Sequence, residues 1–162
     1  MNSTWKAISL TQPWATLVAI GAKRIETRSW PTRYRGPIAI HAAKDFPTWC
    51  RDLCDTEPFR SVLRARGLGA SDLPRGQMLC ITTLIDCWPT AKIREKAPRF
   101  FAVTPHELEF GNYDDGRFGF IFDEIAEINP VPARGALGIW TWDALAPIEA
   151  CVLPEQVEAV HP

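Results

Sequence analysis

No apolar run in the chain approaches the ~20 residues that a membrane-spanning helix requires, and the opening MNSTWK lacks the apolar centre of a signal peptide. These absences lead to the expectation of a soluble, cytoplasmic protein without membrane contact. The five cysteines, Cys50, Cys54, Cys80, Cys87 and Cys151, contain no C-x-x-C pair, so neither a disulfide framework nor a zinc knuckle is implied, and reduced, mostly buried thiols are expected. Three scattered histidines form no metal triad, no glycine-rich phosphate loop follows a strand, and no G-x-S-x-G elbow is present, so no metal and no cofactor is expected. Nor is there an excess of charge. With 18 basic and 19 acidic side chains the formal net charge is −1, whereas a protein that coats nucleic acid non-specifically carries a large positive surplus. Any polyanion binding has to be local.

Local concentration is what the chain does have. Gly21 to Lys44, GAKRIETRSWPTRYRGPIAIHAAK, holds six cations (Lys23, Arg24, Arg28, Arg33, Arg35 and Lys44) against one acid, Glu26. Trp30, Tyr34 and His41 are interleaved with them, and cations with flat rings suit nucleotides, whose phosphates pair with Arg or Lys and whose bases stack on aromatic faces. The same run also reads as a solvated, twisted hairpin. From His106 to Asn129 the balance reverses, with seven acids against Arg117, which predicts one face that attracts a phosphate chain and another that repels it.

At 162 residues and 46% hydrophobic composition, the chain suits a single domain over 1–162 with its own core. Thr4 to Leu10 reads as a first strand. Thr11 and Pro13 open a short helix with Trp14, Leu17 and Val18 on one face, and Gly21 ends it. Alternation then places Glu26, Arg28 and Trp30 on one side of a strand and Ile25 and Thr27 on the other; Lys23 joins the Glu26 side only if it still belongs to the turn. Ile38 to Ala43 is a second strand with His41 opposite Ile38 and Ile40, where a lone histidine is as easily packed as functional. Residues 45–67 form a helical insertion, capped by Asp45 and Thr56 and ended by Gly67, in which Cys50, Cys54, Trp49 and Leu53 face the core. Gln77 to Trp88 is a strand with Leu79, Ile81, Ile85 and Cys87 on one face; Asp86, on the other, either caps a loop or anchors an arginine of the basic stretch. Pro89 to Gly116 is loop or short helix. Phe118, Phe120 and Phe122 alternate in a strand that continues through Ile125 and Ile128, and Leu137 to Trp142 makes a last strand after the VPARG turn with Arg134. The fold class is α+β, mainly β: a small mixed or antiparallel β-barrel with a short helix after its first strand.

The pattern G-x-K-x-x-E-x-R (Lys23, Glu26, Arg28), preceded by Gln12-Pro13-Trp14 and followed by Trp30 and Tyr34, resembles the signature half of the ASCH family, which is similar to the PUA fold, a small β-barrel used for RNA binding. LPRGQMLCITTLIDC and VPARGALGIW resemble the family more loosely. The resemblance implies a PUA-like barrel with a cleft over the first helix, lined by Lys23, Glu26 and Arg28. It also implies RNA or other nucleic-acid binding, with hydrolysis of acetylated cytidine nucleosides or single-stranded RNA in some members. The amidohydrolase branch uses a lysine, a threonine and a glutamate. Lys23 matches the lysine, Glu26 stands at the threonine position, and no counterpart of that glutamate is identified.

Three readings follow. In the first, the protein binds RNA or single-stranded nucleic acid: Arg28, Arg33 and Arg35 take phosphates, Trp30 or Tyr34 stacks a base, and Lys23 with Glu26 reads a base or sugar edge. Gln12, Trp14, His41 and Lys44 complete the contacts, with Asp86 and Arg134 in support. In the second, Lys23 is the base or nucleophile of a hydrolase acting on a modified nucleoside or on RNA, and Glu26 positions water. The third is a protein-binding adaptor marked by an exposed apolar patch from Trp88 or Trp142.

Overall fold

The computed structural model describes residues 3–97 and 103–145; Cys151 and the end of the expected 1–162 domain lie outside them. Among the described residues the strands β1 (Ser3–Leu10), β2 (Ile25–Arg28), β3 (Gly36–Ala42), β4 (Gln77–Pro89), β5 (Phe118–Pro132) and β6 (Ile139–Ala144) form one six-stranded sheet in the order β2-β5-β4-β3-β1-β6. β1 and β3 run parallel, with Ile8 opposite Ile40, and every other pairing is antiparallel. The connection between the two parallel strands contains α1 (Trp14–Ala19) and then β2, which crosses to the far edge and pairs with β5.

The expected barrel is not closed, because β2 and β6 are the sheet's two edges and form no ladder with each other. Side chains occupy the free edge of β2 instead. The Ile25 N–H donates to Glu107, the Ile25 carbonyl accepts from Lys23 Nζ, and Arg28 Nη2 donates to the Ser9 carbonyl of β1 at 2.7 Å. That last bond links β2 directly to β1, so the curled sheet is held across its open seam by side chains. A strand edge satisfied in this way offers no template for another chain.

The apolar residues explain the curl. Ile8, Leu10, Val18, Ile38, Ile40, Leu84, Phe120 and Phe122 pack into one core between α1 and the inner face of the sheet. A second core joins Leu17 of α1 to Cys50, Cys54, Phe59 and Leu63, which come from α2 (Thr48–Leu53), α3 (Phe59–Arg64) and the link between them. The helical pair thus docks on α1, away from the sheet's outer face. α4 (Thr90–Lys96) places Ile93 against Ile25, Ile121 and Tyr113. No helix among the described residues is long and apolar enough to cross a membrane.

Several local expectations are corrected. Asp45 and Thr56 do not cap: Glu57 accepts the Ser61 N–H of α3, and the Thr56 hydroxyl donates back to Leu53. At α1 the Gln12 side chain, rather than Thr11, accepts the Thr16 N–H at 3.0 Å. β4 does not keep one face throughout, because the β4–β5 ladder shifts register at three places and each shift resets the alternation. Leu79 and Leu84 therefore share the inner core, while Ile81 and Ile85 go to other clusters. The last strand begins at Ile139, and Leu137 before it is 97% exposed.

Candidate functional site

Gly21 starts the site. With φ at +79° it takes the left-handed conformation that ends α1, and the chain reverses so that the N–H groups of Ala22 and Lys23 both reach the Leu17 carbonyl at 3.0 Å. Lys23 is thus in the turn, and its side chain swings under β2. The residue is fully buried, with Nζ bonded to the Ile25 carbonyl and 3.2 Å from Glu26 Oε2. Arg28 Nε lies 3.2 Å from the other oxygen, Oε1, so one carboxylate bridges two cations. The Nε–H of Arg28 is not directed at any acceptor among the described residues. Lys23, Glu26 and Arg28 are gathered at the seam of the sheet.

Glu107 lies beneath them, and sequence reasoning missed it. Its carboxylate accepts the Arg24 N–H at 2.8 Å on Oε2, the Ile25 N–H at 2.9 Å on Oε1, and the Thr104 hydroxyl at 3.1 Å. Burial raises its pKa above the usual glutamate range, although Lys23 and these donors pull the other way. The Tyr113 hydroxyl is buried with no hydrogen-bond partner among the described residues, and burial together with the Glu107 and Glu26 charges pushes its pKa up. Both residues belong to the acidic stretch, which does not form a separate repelling face as the charge pattern suggested. Asp123 pairs with Arg24, and Glu107 is folded beneath the basic turn. No local signal in the sequence points to this role, since the N–H groups that Glu107 takes lie 82 and 83 residues away along the chain.

Beside this cluster opens a cleft of about 620 Å³, lined by Glu26, Thr27, Arg28 and Arg117 together with Trp14, Trp49, Leu53 and Phe59. Trp14 and Trp49 meet at 5.8 Å between ring centroids and 54° between planes, and Phe59 abuts Trp14 edge-on. Trp49, expected to face the core, is 61% exposed at the cleft. Arg117 is fixed by donating from Nε to the Asn112 carbonyl and from Nη2 to the Thr27 carbonyl. The ionisable lining is balanced, with Glu26 and Glu109 against Arg28 and Arg117.

The other sequence candidates lie elsewhere. Gln12 is fully buried, bonded to Thr16 and to the Pro74 carbonyl. Trp30 packs edge-on against Phe120 at 5.0 Å, as part of the inner core. Tyr34 borders a second, smaller cleft with Trp5 and Pro37, and its hydroxyl donates to the Pro37 carbonyl. Arg35 pairs with Asp86 at 3.1 Å, the anchoring that the sequence left open. Asp86 also accepts the Cys87 N–H and the Trp88 indole, and although burial opposes it, these donors and Arg35 hold its pKa below the usual aspartate range. Arg33, Lys44 and Arg134 are exposed and do not line the cleft. His41 is buried one layer behind Ser9. Its Nε2–H donates to the Ala133 carbonyl, its Nδ1 accepts from the Ser9 hydroxyl, and that hydroxyl accepts from the Trp140 indole. Burial lowers the His41 pKa, in keeping with this neutral tautomer. Trp142 is buried, and Trp88 is half-buried under Lys92, so neither builds an exposed apolar patch.

The ASCH domain family model matches residues 8–127. The chain belongs to the ASCH domain family. Activating signal cointegrator 1 of Homo sapiens and that of Mus musculus are each 30% identical to it over 139 residues, which is 85% of this chain. The ASCH chain spans only 22% of the length of those relatives. Among solved structures, ASCH from Zymomonas mobilis is 12% identical with a TM-score of 0.47, covering 96% of this chain and 92% of that one. A single-substitution mutant of the same protein is 14% identical with a TM-score of 0.46, covering 78% and 74%. The matched segment contains Lys23, Glu26, Arg28 and Glu107, so the seam site lies within the family region.

Proposed function

We propose that this ASCH domain binds RNA or another single-stranded nucleic acid, with one unpaired base entering the cleft between the tryptophans and the Glu26–Arg28 edge. The observation that carries the reading is that one cleft brings the half-buried Trp14 and the exposed Trp49 together with the Glu26–Arg28 ion pair. A nucleobase needs both: a π-face to stack on, and donors and acceptors for its edge. Arg117 also lines the cleft and supplies a cation for the sugar-phosphate that follows the base, and the exposed Arg33 and Lys44 give the strand further cations outside the cleft. Lys23 acts from below, holding Glu26 in place. This division puts stacking on Trp14 and Trp49 in place of Trp30 and Tyr34.

The test is anisotropy of a labelled single-stranded RNA titrated with protein at several salt concentrations. Binding that weakens with salt, and that Trp49→Ala weakens by about five- to a hundredfold, supports the reading. Salt-independent binding, or an unchanged Trp49→Ala variant, contradicts it. A hydrolase at the same cleft is favoured by one feature, the exposure of Glu26 to the space where a water would sit. Turnover of an acetylated cytidine or a single-stranded RNA that disappears in Glu26→Gln while binding persists would establish it. No turnover of either substrate removes it.

A further inference from the structure

The floor of the cleft has a definite hydrogen-bonding character, and the identity of the base follows from it. Glu26 is the acceptor that faces the cleft from a fixed position, with each oxygen beside a different cation: Oε2 by Lys23 and Oε1 by Arg28, both at 3.2 Å. A carboxylate only accepts, and its two oxygens offer about four lone-pair sites, so each keeps capacity for one more donor. Two neighbouring acceptors call for two neighbouring donors. Resting on the nucleic-acid reading above, we infer that the base selected here is guanine, its N1–H and N2–H donating to the two Glu26 oxygens and its O6 accepting from the Arg28 guanidinium.

The other bases fail on the same edge. Adenine and cytosine each offer one amino group beside a ring nitrogen that only accepts, and uracil offers one N–H between two carbonyls. Each would set an acceptor against Glu26, which repels and leaves the carboxylate underused. Guanine alone places two N–H groups side by side with a carbonyl next to them, the sequence donor, donor, acceptor that Glu26 and Arg28 complement. Arg28 is held for this part: Nη2 is bonded to the Ser9 carbonyl at 2.7 Å, and the buried Nε lies 3.2 Å from Glu26 Oε1. Trp49 and Trp14 supply the stacking surface. Both carboxylate oxygens are anchored before any ligand arrives, so the reading edge is ordered in advance.

The experiment uses twelve-nucleotide RNAs of uridine with one central position varied, bound to the full chain and read by anisotropy. Guanine at that position should bind about ten- to a hundredfold more tightly than adenine, cytosine or uracil. Inosine, which lacks only the N2 amino group, should lose about fivefold or more relative to guanine. This comparison needs no mutation and so survives if Glu26→Gln fails to fold; where that variant folds, its preference for guanine should vanish. Guanosine monophosphate separates the sources of the base. Competition by the mononucleotide assigns the site to a free nucleotide, and failure to compete with a bound strand assigns it to a base within a chain; either keeps the guanine edge. Equal affinity for all four bases, or inosine equal to guanine, overturns the inference while leaving nucleic-acid binding in place. Absence of binding to every RNA and to the mononucleotide overturns both.

Discussion

Replacing Glu107 by glutamine tests the seam on which the site is built. The carboxylate takes the Arg24 N–H on one oxygen and the Ile25 N–H on the other, at 2.8 and 2.9 Å, in a fully buried position. An amide of the same shape keeps one oxygen and turns an NH₂ toward the second N–H, donor against donor. One buried N–H then goes unmet, at about 1–3 kcal/mol, and the buried Lys23 loses a nearby negative charge, so Glu107→Gln should destabilise the fold by about 2–4 kcal/mol. Urea denaturation followed by circular dichroism at neutral pH measures it, with the cost appearing as a lower midpoint at unchanged slope. A loss below about 0.5 kcal/mol, the size of an ordinary surface change, would refute the claim that Glu107 closes the free edge of β2.

Three further outcomes are expected. The Asp86 carboxyl has a lower pKa folded than unfolded, so its stabilisation is present above its ordinary value of 3.8 and lost as pH falls through the folded value; the gap in thermal midpoint between wild type and Asp86→Asn should close on acidification across that range. A Cβ on Gly119 would lie 2.4 Å from Ile93 Cδ1 and 2.8 Å from Ile25 Cγ2, so Gly119→Ala should cost about 1–3 kcal/mol in the same denaturation assay by forcing α4 from the sheet. Cys50, Cys54 and Cys80 are buried, burial having pushed the Cys54 thiol up to about 11, and peptide mass mapping should find all three unmodified by a thiol reagent in native protein and modified in urea.

The strands were legible because their periodicity is strong. Ile25 and Thr27 against Glu26 and Arg28, and the Phe118–Phe120–Phe122 alternation, leave little choice of face. Helix α1 and its glycine stop could be read for the same reason. Sequence could not tell whether the sheet closes, because that depends on Glu107 and Lys23 taking the backbone groups of Ile25, contacts 82 and 2 residues distant along the chain. It could not follow β4 through three register shifts, since a bulge leaves the composition unchanged. The basic cluster was visible as composition, but proximity in sequence overstated proximity in space. Arg33, Tyr34 and Arg35 leave on the loop after β2, while Trp49 and Arg117 arrive from outside the cluster. The common direction of Glu26 and Arg28 could be read because both sit on one short strand, whereas that of Lys23 stayed open in the sequence and is decided by its place in the turn after Gly21.

The most direct measurement of the central claim is a ¹H–¹⁵N titration of the tryptophan indoles and arginine Nε groups with single-stranded RNA. The account predicts shifts of Trp14, Trp49 and Arg28 that saturate together, with Trp5 unmoved. Shifts confined to Trp5, or none at any indole while the RNA binds, would contradict it.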